Sequence, residues 1–470
     1  MRRASAGGFR PAWLLLVTGV CSFMAAWSVA DSSMPRAARF SRPPGGALSA
    51  LTGRGACFGT GCARLRGPQA LLRIAISPDG RDLYLSGQAG GLGVLARNRR
   101  SGRLRQLSGR AGCVRRDGRQ SCATVPELRN PGAIVVSPDG RSVYVTTAHG
   151  ILAFVRNRLT GAIRALTGAH GCVDAQRRSC QQLRGMTAPT TLLAAENRTF
   201  YVAGTLPDAQ GGQTGALAVL SRDPATGALS QLPGTGGCMN GSGSQGCATT
   251  RCLDTETTLA LSRDRSHLYT GSTDSLDFEL TSPGMVSTFA RANTGALTFV
   301  GCDQRQAAIS DVLAEPRSDS VLVSTLYGNR GTGVGSATID LYAPQRGGEL
   351  KQKQQLACSS DSQCQVPFGP DISTVAITPD GNTAYYEVFF GGVAAFRVGP
   401  RSLVPLSGRW GCLVSTSQHM PPARCRRAGQ QIGPDMVISP DGRNLYVSTL
   451  GGNGNTNHYA GGVEALSVQR

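Results

Sequence analysis

The chain is nearly without lysine: Lys351 and Lys353 are the only two among 48 basic residues. Aromatic residues make up 6% of it, and histidines number five. No C-x-x-C occurs, and no His/Cys quartet has ligand spacing. Past the N-terminal region there is no apolar run long enough to span a bilayer and no stretch that sustains a helical period. Each shortage excludes something. The few aromatics do not interleave with the basic runs, which argues against nucleic acid, where bases stack on rings. The cysteine spacing argues against zinc, and no other metal or cofactor motif is found. The missing helical period argues against a bundle. The near-absence of lysine makes the net charge of +19 an arginine charge. A bias toward arginine codons explains it as well as attraction to an anionic partner does.

Glycine is abundant instead, with 62 residues. That suits many short strands joined by tight turns. The length of 470 residues allows one large repeat domain or two ordinary ones. The repeat is visible at Ser77-Pro78-Asp79-Gly80, Ser137-Pro138-Asp139-Gly140, Thr378-Pro379-Asp380-Gly381 and Ser439-Pro440-Asp441-Gly442. Each is flanked by β-branched and aromatic residues and reads as strand, turn, strand. Pro presets φ, Asp suits the next position, and Gly accepts the positive φ that closes the turn. Degraded copies place turn starts at Ala194, Ser262 and Ala314, making seven units with Ser77, Ser137, Thr378 and Ser439.

The second unit gives the full pattern: strands over 133–136, 142–147, 150–157 and 162–167, then a loop holding Cys172 and Cys180. A second turn recurs as Ser101-Gly102, Thr160-Gly161, Thr226-Gly227, Thr294-Gly295 and Gly347-Gly348. The last unit lacks its fourth strand, and residues 46–52 read as an orphan fourth strand at the other end of the chain. A closed ring explains both, with the N-terminal strand completing the last blade. The expectation is an all-β, seven-bladed β-propeller over 45–470 with four-stranded antiparallel blades. Closure also removes exposed sheet edges.

Upstream, Arg2, Arg3 and Arg10 form a basic region, 13–27 an apolar one, and Ser28-Val29-Ala30 a small-residue cleavage site. Residues 1–30 read as a signal peptide, with an uncleaved membrane anchor as the alternative, and 31–44 as a Pro-containing linker. Of the 15 cysteines, Cys21 falls in the signal. The others suggest six local pairs, Cys57/Cys62, Cys113/Cys122, Cys172/Cys180, Cys238/Cys247, Cys358/Cys364 and Cys412/Cys425, with Cys252 and Cys302 left for each other. Disulfides at this density require an oxidising compartment, so a secreted or envelope location is expected.

Propeller geometry puts the loop after the second strand and the inter-blade loop on one rim. Arginines crowd the cysteine loops there: Arg115, Arg116, Arg119, Arg177, Arg178, Arg424, Arg426 and Arg427. With Arg330 they read as a basic collar for carboxylate or phosphate, on an anionic glycan, wall polymer or lipid headgroup, or as a solvated surface. The loops after strand two hold further polar groups: His149, Asp274, Asp277, Glu279, Asn329, Glu387 and His458. Asp371 and Asp435 follow Gly-Pro at the start of two inner strands, facing the channel. A His with carboxylates suits general acid–base work; carboxylates alone suit Ca²⁺.

The S-P-D-G-R-x-L-Y-V repeat followed by T-G-x-L resembles the lactonase-like seven-bladed propellers, also called YVTN-repeat proteins, over residues 45–470. That resemblance implies the propeller fold and, for some members, lactone chemistry by a polar cluster in the central channel. Such sequences often carry His after the Pro that opens an inner strand; here Gln69, Asp371 and Asp435 stand in those places. Two functions are therefore expected. One is a monomeric, secreted binding module at the stapled rim. The other is a lactone hydrolase using His149, Glu387, Asp371 or Asp435.

Overall fold

A computed structural model describes residues 43–470 apart from 71, 88–89, 209, 251, 274–283, 306, 330–333, 359–371, 389–391, 400–401, 416–424 and 452–459. The chain forms seven small sheets. Their innermost strands are Leu72–Ile76, Ile134–Val136, Ala188–Ala194, Glu256–Leu261, Ala308–Ala314, Ile372–Ile377 and Ile432–Ile438. Each touches the next, and the seventh touches the first. The molecule is therefore a closed seven-bladed propeller, with blades 1–7 numbered in that order. Blade 7 is completed by the N-terminal strand Leu48–Ala50, which pairs antiparallel with Ala460–Val468. The orphan strand of the sequence thus closes the ring.

The core follows from the strand period of two. In blade 2, Val143 and Val145 pack toward blade 1, while Tyr144 between them packs toward blade 3. Every blade splits its side chains in this way. The buried residues fall into seven clusters, one for each seam between neighbouring blades.

Two expectations need correction. The turns of blades 3 and 5 start one residue later than expected, at Ala195 and Glu315, as their backbone bonds to Thr199 and Ser320 show. Neither carries the S-P-D-G signature, so nothing in these stretches anchors the register. The fourth strand is also not one segment followed by a cysteine loop. In blade 2, Ile163–Ala165 pairs with the third strand, a short 3₁₀ turn intervenes at Gly168–Gly171, and Cys172–Asp174 pairs further along the same third strand. A two-residue strand, Gln181–Gln182, then adds outside it in parallel. Blades 1, 3 and 6 repeat this plan; blades 4 and 5 have continuous outer strands, Leu297–Arg305 and Leu350–Cys358. The first cysteine of each local pair therefore belongs to the sheet, and the bridge pins a small flap to the blade's outer edge.

Bridges join Cys57–Cys62, Cys113–Cys122, Cys172–Cys180, Cys238–Cys247, Cys252–Cys302 and Cys412–Cys425. Cys364, the expected partner of Cys358, lies outside the described residues. Six disulfides point to an extracytoplasmic location, where thiols are not held reduced.

Candidate functional site

Among the described residues, three places in the ring gather polar side chains: the S-P-D-G end of the seams, the inner strands, and the flaps.

At the S-P-D-G end, the last residue of the third strand in blades 1–4 is Arg97, Arg156, Arg222 or Arg291. Each reaches back to the preceding blade. Its Nε donates to a tyrosine hydroxyl: Arg97 to Tyr446 (2.7 Å), Arg156 to Tyr84 (2.6 Å), Arg222 to Tyr144 (2.7 Å) and Arg291 to Tyr201 (2.6 Å). Its terminal nitrogens take a carboxylate on the preceding blade's turn: Asp441, Asp79, Asp139 or Glu196. The tyrosine hydroxyl in turn donates to the carbonyl of the second-turn glycine, as Tyr84 does to Gly161 (2.8 Å) and Tyr144 to Gly227 (2.6 Å). That glycine has positive φ and lies so close to the preceding blade that a Cβ at Gly161 would strike Asp82, which explains the recurrence of T-G in the sequence. These arginine clasps were missed from sequence. The signal was present as A-R-N, V-R-N and S-R-D at 96–98, 155–157 and 221–223, but an arginine at a strand end reads as solvated surface.

On the inner strands, the residue three before the last is Arg73, Ala133, Thr191, Thr258, Asp311, Thr374 or Asp435 in blades 1–7. The two carboxylates stitch seams. Asp435 Oδ2 accepts the Ile74 N–H of blade 1 (2.7 Å), and Asp311 Oδ2 accepts the Val375 N–H of blade 6 (2.9 Å) and the Thr374 hydroxyl (3.3 Å). Burial pushes both carboxyls up to about 6 against those hydrogen bonds, and Asp435 adds its charge against Asp311. Exposed Arg73 reaches the Pro434 carbonyl (3.5 Å), and its charge favours ionised Asp435. Of the expected channel residues, Asp435 is thus placed beside a cation. Asp311 was not foreseen, because no Gly-Pro precedes it. Glu387 was expected in a loop; it lies instead within Thr383–Val388, fully buried and paired in register with Thr374 and Val393. Its apolar strand neighbours carry the strand past it. His149 is exposed on the hairpin after the second strand of blade 2, with Nδ1 3.3 Å from the Thr187 carbonyl. Asp371, Arg330, Arg424, Asp274, Asp277, Glu279 and His458 lie outside the described residues.

On the flaps, Arg115 is held by Asp117 (2.9 Å) and the Gly67 carbonyl (3.1 Å). The Arg115 side chain and the Arg119 N–H hold the Asp117 carboxyl down to about 2. Arg177 lies 3.8 Å from Glu127. Arg426 binds the Leu48 carbonyl (3.0 Å) and Ser49 hydroxyl (2.6 Å) and stacks over Trp410. Arg116, Arg119, Arg178 and Arg427 present exposed guanidinium groups. The expected collar therefore sits at the circumference, on the outer edges of blades 1, 2 and 6; Arg115 and the largely exposed Arg119 share Asp117 within their own flap, and Arg426 is tied to the closing strand of blade 7.

No protein-family profile matches the chain, and no curated protein does. Among solved structures, it is similar to a "putative 6-phosphogluconolactonase" from Bacteroides uniformis, at 14% identity and a TM-score of 0.42 over 70% of this chain and 82% of that one. It is also similar to the periplasmic gluconolactonase PpgL of Pseudomonas aeruginosa, at 14% identity and a TM-score of 0.45 over 72% of this chain and 84% of that one.

Proposed function

We propose that the protein is an exported binding module that engages an anionic polymer through its disulfide-pinned flaps. The observation that carries this reading is the presentation of Arg116, Arg119, Arg178 and Arg427. All are exposed, and each lies within or beside a bridge-closed segment. A cation on a pinned flap loses less freedom on binding than one on a free loop, and guanidinium suits carboxylate or phosphate oxygens. The test is binding to dextran sulfate and to teichoic acid across a salt series. Replacing the four arginines by alanine should lower affinity at least about tenfold and flatten the salt dependence. Unchanged binding would reject the reading.

A lactone hydrolase is the second reading, supported by the placement of Arg73 near Asp435, where it reaches the Pro434 carbonyl and its charge acts on the carboxyl. A carboxyl near 6 beside a cation has the properties of a general base with a partner for a developing oxyanion. Turnover of a lactone panel that disappears in Asp435→Asn and in Arg73→Met, with folding intact, would establish it. Absence of turnover by the parent protein would remove it.

A further inference from the structure

The clasp is built at four seams, and at a fifth its partners stand without the arginine, the Asp380 carboxylate taking the Asn382 side-chain N–H (2.8 Å). At the blade 6/7 seam, the residue in register with Arg97 is Val468: Val468 N–H donates to the Arg443 carbonyl as Arg97 N–H donates to that of Arg81. The other partners remain. Asp380 occupies the position of Asp441 and Asp79 in its S-P-D-G-type turn. Tyr385 occupies that of Tyr446; its hydroxyl donates to the Gly46 carbonyl (2.9 Å), as Tyr446 does to Gly102 (2.8 Å). Gly442 stands where Gly80 offers its carbonyl to Arg97 Nη1 (3.0 Å). A Cβ built on Gly80 or Gly140 would meet the clasping guanidinium at 3.2 Å; one on Gly442 would meet only Pro379. Asp380 is exposed, whereas Asp79, Asp139 and Asp441 are each half-covered by their arginine.

Val468 packs into the apolar cluster that also holds Tyr385, and space remains outside that cluster. A cavity of about 850 Å³ opens there, lined among others by Gly46, Asp380, Thr383, Gly442 and Val468. Other cations at its edge are engaged or directed elsewhere. Arg317 pairs with Glu315 and binds Asn382 and the Val398 carbonyl, and Arg470 donates to the Asp441 carbonyl. Arg397 is exposed and also lines the cavity.

We propose that this cavity is a binding site for a guanidinium group, the arginine side chain of an incoming ligand replacing the arginine this seam lacks. Its terminal nitrogens face Asp380 and the Gly442 carbonyl, which line the cavity as the corresponding groups face Arg97 and Arg156, while the Tyr385 hydroxyl stays buried on the Gly46 carbonyl. The fork geometry discriminates against an ammonium, which donates from a single point.

L-argininamide, titrated calorimetrically into the full chain beside L-lysinamide, tests it. Argininamide should bind saturably and at least about tenfold more tightly than lysinamide. Asp380→Asn should weaken it at least about tenfold, and Val468→Arg should abolish it while raising the melting temperature, because the chain then supplies its own clasp. Should Val468→Arg fail to fold, Asp380→Asn on its exposed turn still decides. Equal affinity for the two amides, no binding of either, or undiminished binding to Asp380→Asn overturns the proposal.

Discussion

Four seams of this ring carry an arginine clasp and three do not, although all seven are packed by the same alternation of apolar side chains. The clasped seams run from blade 7 through blade 4. At the other three, Pro344, Val398 and Val468 stand on the third strands where the arginine would be. Two of these seams have a substitute of their own. At blade 4/5, Arg305 comes from the outer strand, stacks 5.0 Å over Tyr342 and donates to Gln352 (2.9 Å). At blade 5/6 the direction reverses, with Arg317 reaching forward from the turn to Asn382 and the Val398 carbonyl. At blade 6/7 the space is left open. A propeller seam thus needs its apolar filling to close, while its polar end is free to vary. The proposed guanidinium site lies where that variation leaves space.

The comparison breaks most sharply at Arg222, which is almost fully buried against Tyr144, Asp139 and Ser142. Arg222→Met keeps the volume but leaves a buried hydroxyl and a half-buried carboxylate facing a thioether. The expected loss is about 3–5 kcal/mol, the usual price of removing one member of a buried ion pair. Arg317→Met, at an unclasped seam where the side chain is 45% exposed, should lose less than about 1 kcal/mol. Urea midpoints of the two variants measure this. Equal shifts would mean that the clasp adds nothing beyond an ordinary surface contact.

The disulfides sharpen the same contrast. Cys252–Cys302 ties blade 4 across a separation of 50 residues, whereas Cys113–Cys122 closes one of only nine. In the chain-entropy picture, replacing the first pair by serine destabilises by about 4 kcal/mol and the second by about 2.5 kcal/mol. If the short bridge proves worth more than the long one, the flap contributes to the fold of its blade and is not merely pinned to it.

How much of this was legible follows from what repeats. The ring, its closure by Leu48–Ala50 and the turn glycines could be read because S-P-D-G and T-G state a backbone requirement that few residues satisfy. The clasp could not, because Arg97 and Arg156 look like any exposed arginine until the next blade is placed against them. Asp311 was invisible for a related reason: its partner, Val375 N–H, lies on another blade. The flaps were half legible. Spacing paired the cysteines, but nothing in Cys113 or Cys172 says that it lies in a strand and not in the loop after one. Local chemistry is written locally; seam chemistry exists only once two blades meet.

Protonation separates the two kinds of carboxylate, with the smallest effect but opposite signs. In the clasp, burial pushes Asp139 up, yet Ser137, the Arg141 N–H and Arg222 together hold it below the usual carboxylate range. Its stabilisation is present above the unfolded value near 3.9 and is lost as pH falls through the lowered folded value. On the inner strands, burial outweighs the hydrogen bonds, and Asp311 is pushed up to about 6. Below about 3.9 it is protonated in both states and costs nothing. Between there and about 6 the unfolded chain has released the proton that the folded chain still holds, so stability falls as pH rises, and above about 6 the loss is complete. A shift of two units corresponds to about 2.7 kcal/mol at most, and water reaching the half-buried side chain reduces this to about 1 kcal/mol. Asp311→Asn should therefore gain on the parent protein by about that amount between pH 4 and pH 7, whereas the deficit of Asp139→Asn should stay nearly constant over that interval and shrink only as pH falls below about 3.9. Urea titrations at the two pH values decide. If both variants move in the same direction, the clasp and the inner seam do not differ electrostatically, and the division of the ring drawn from its arginines stops at geometry.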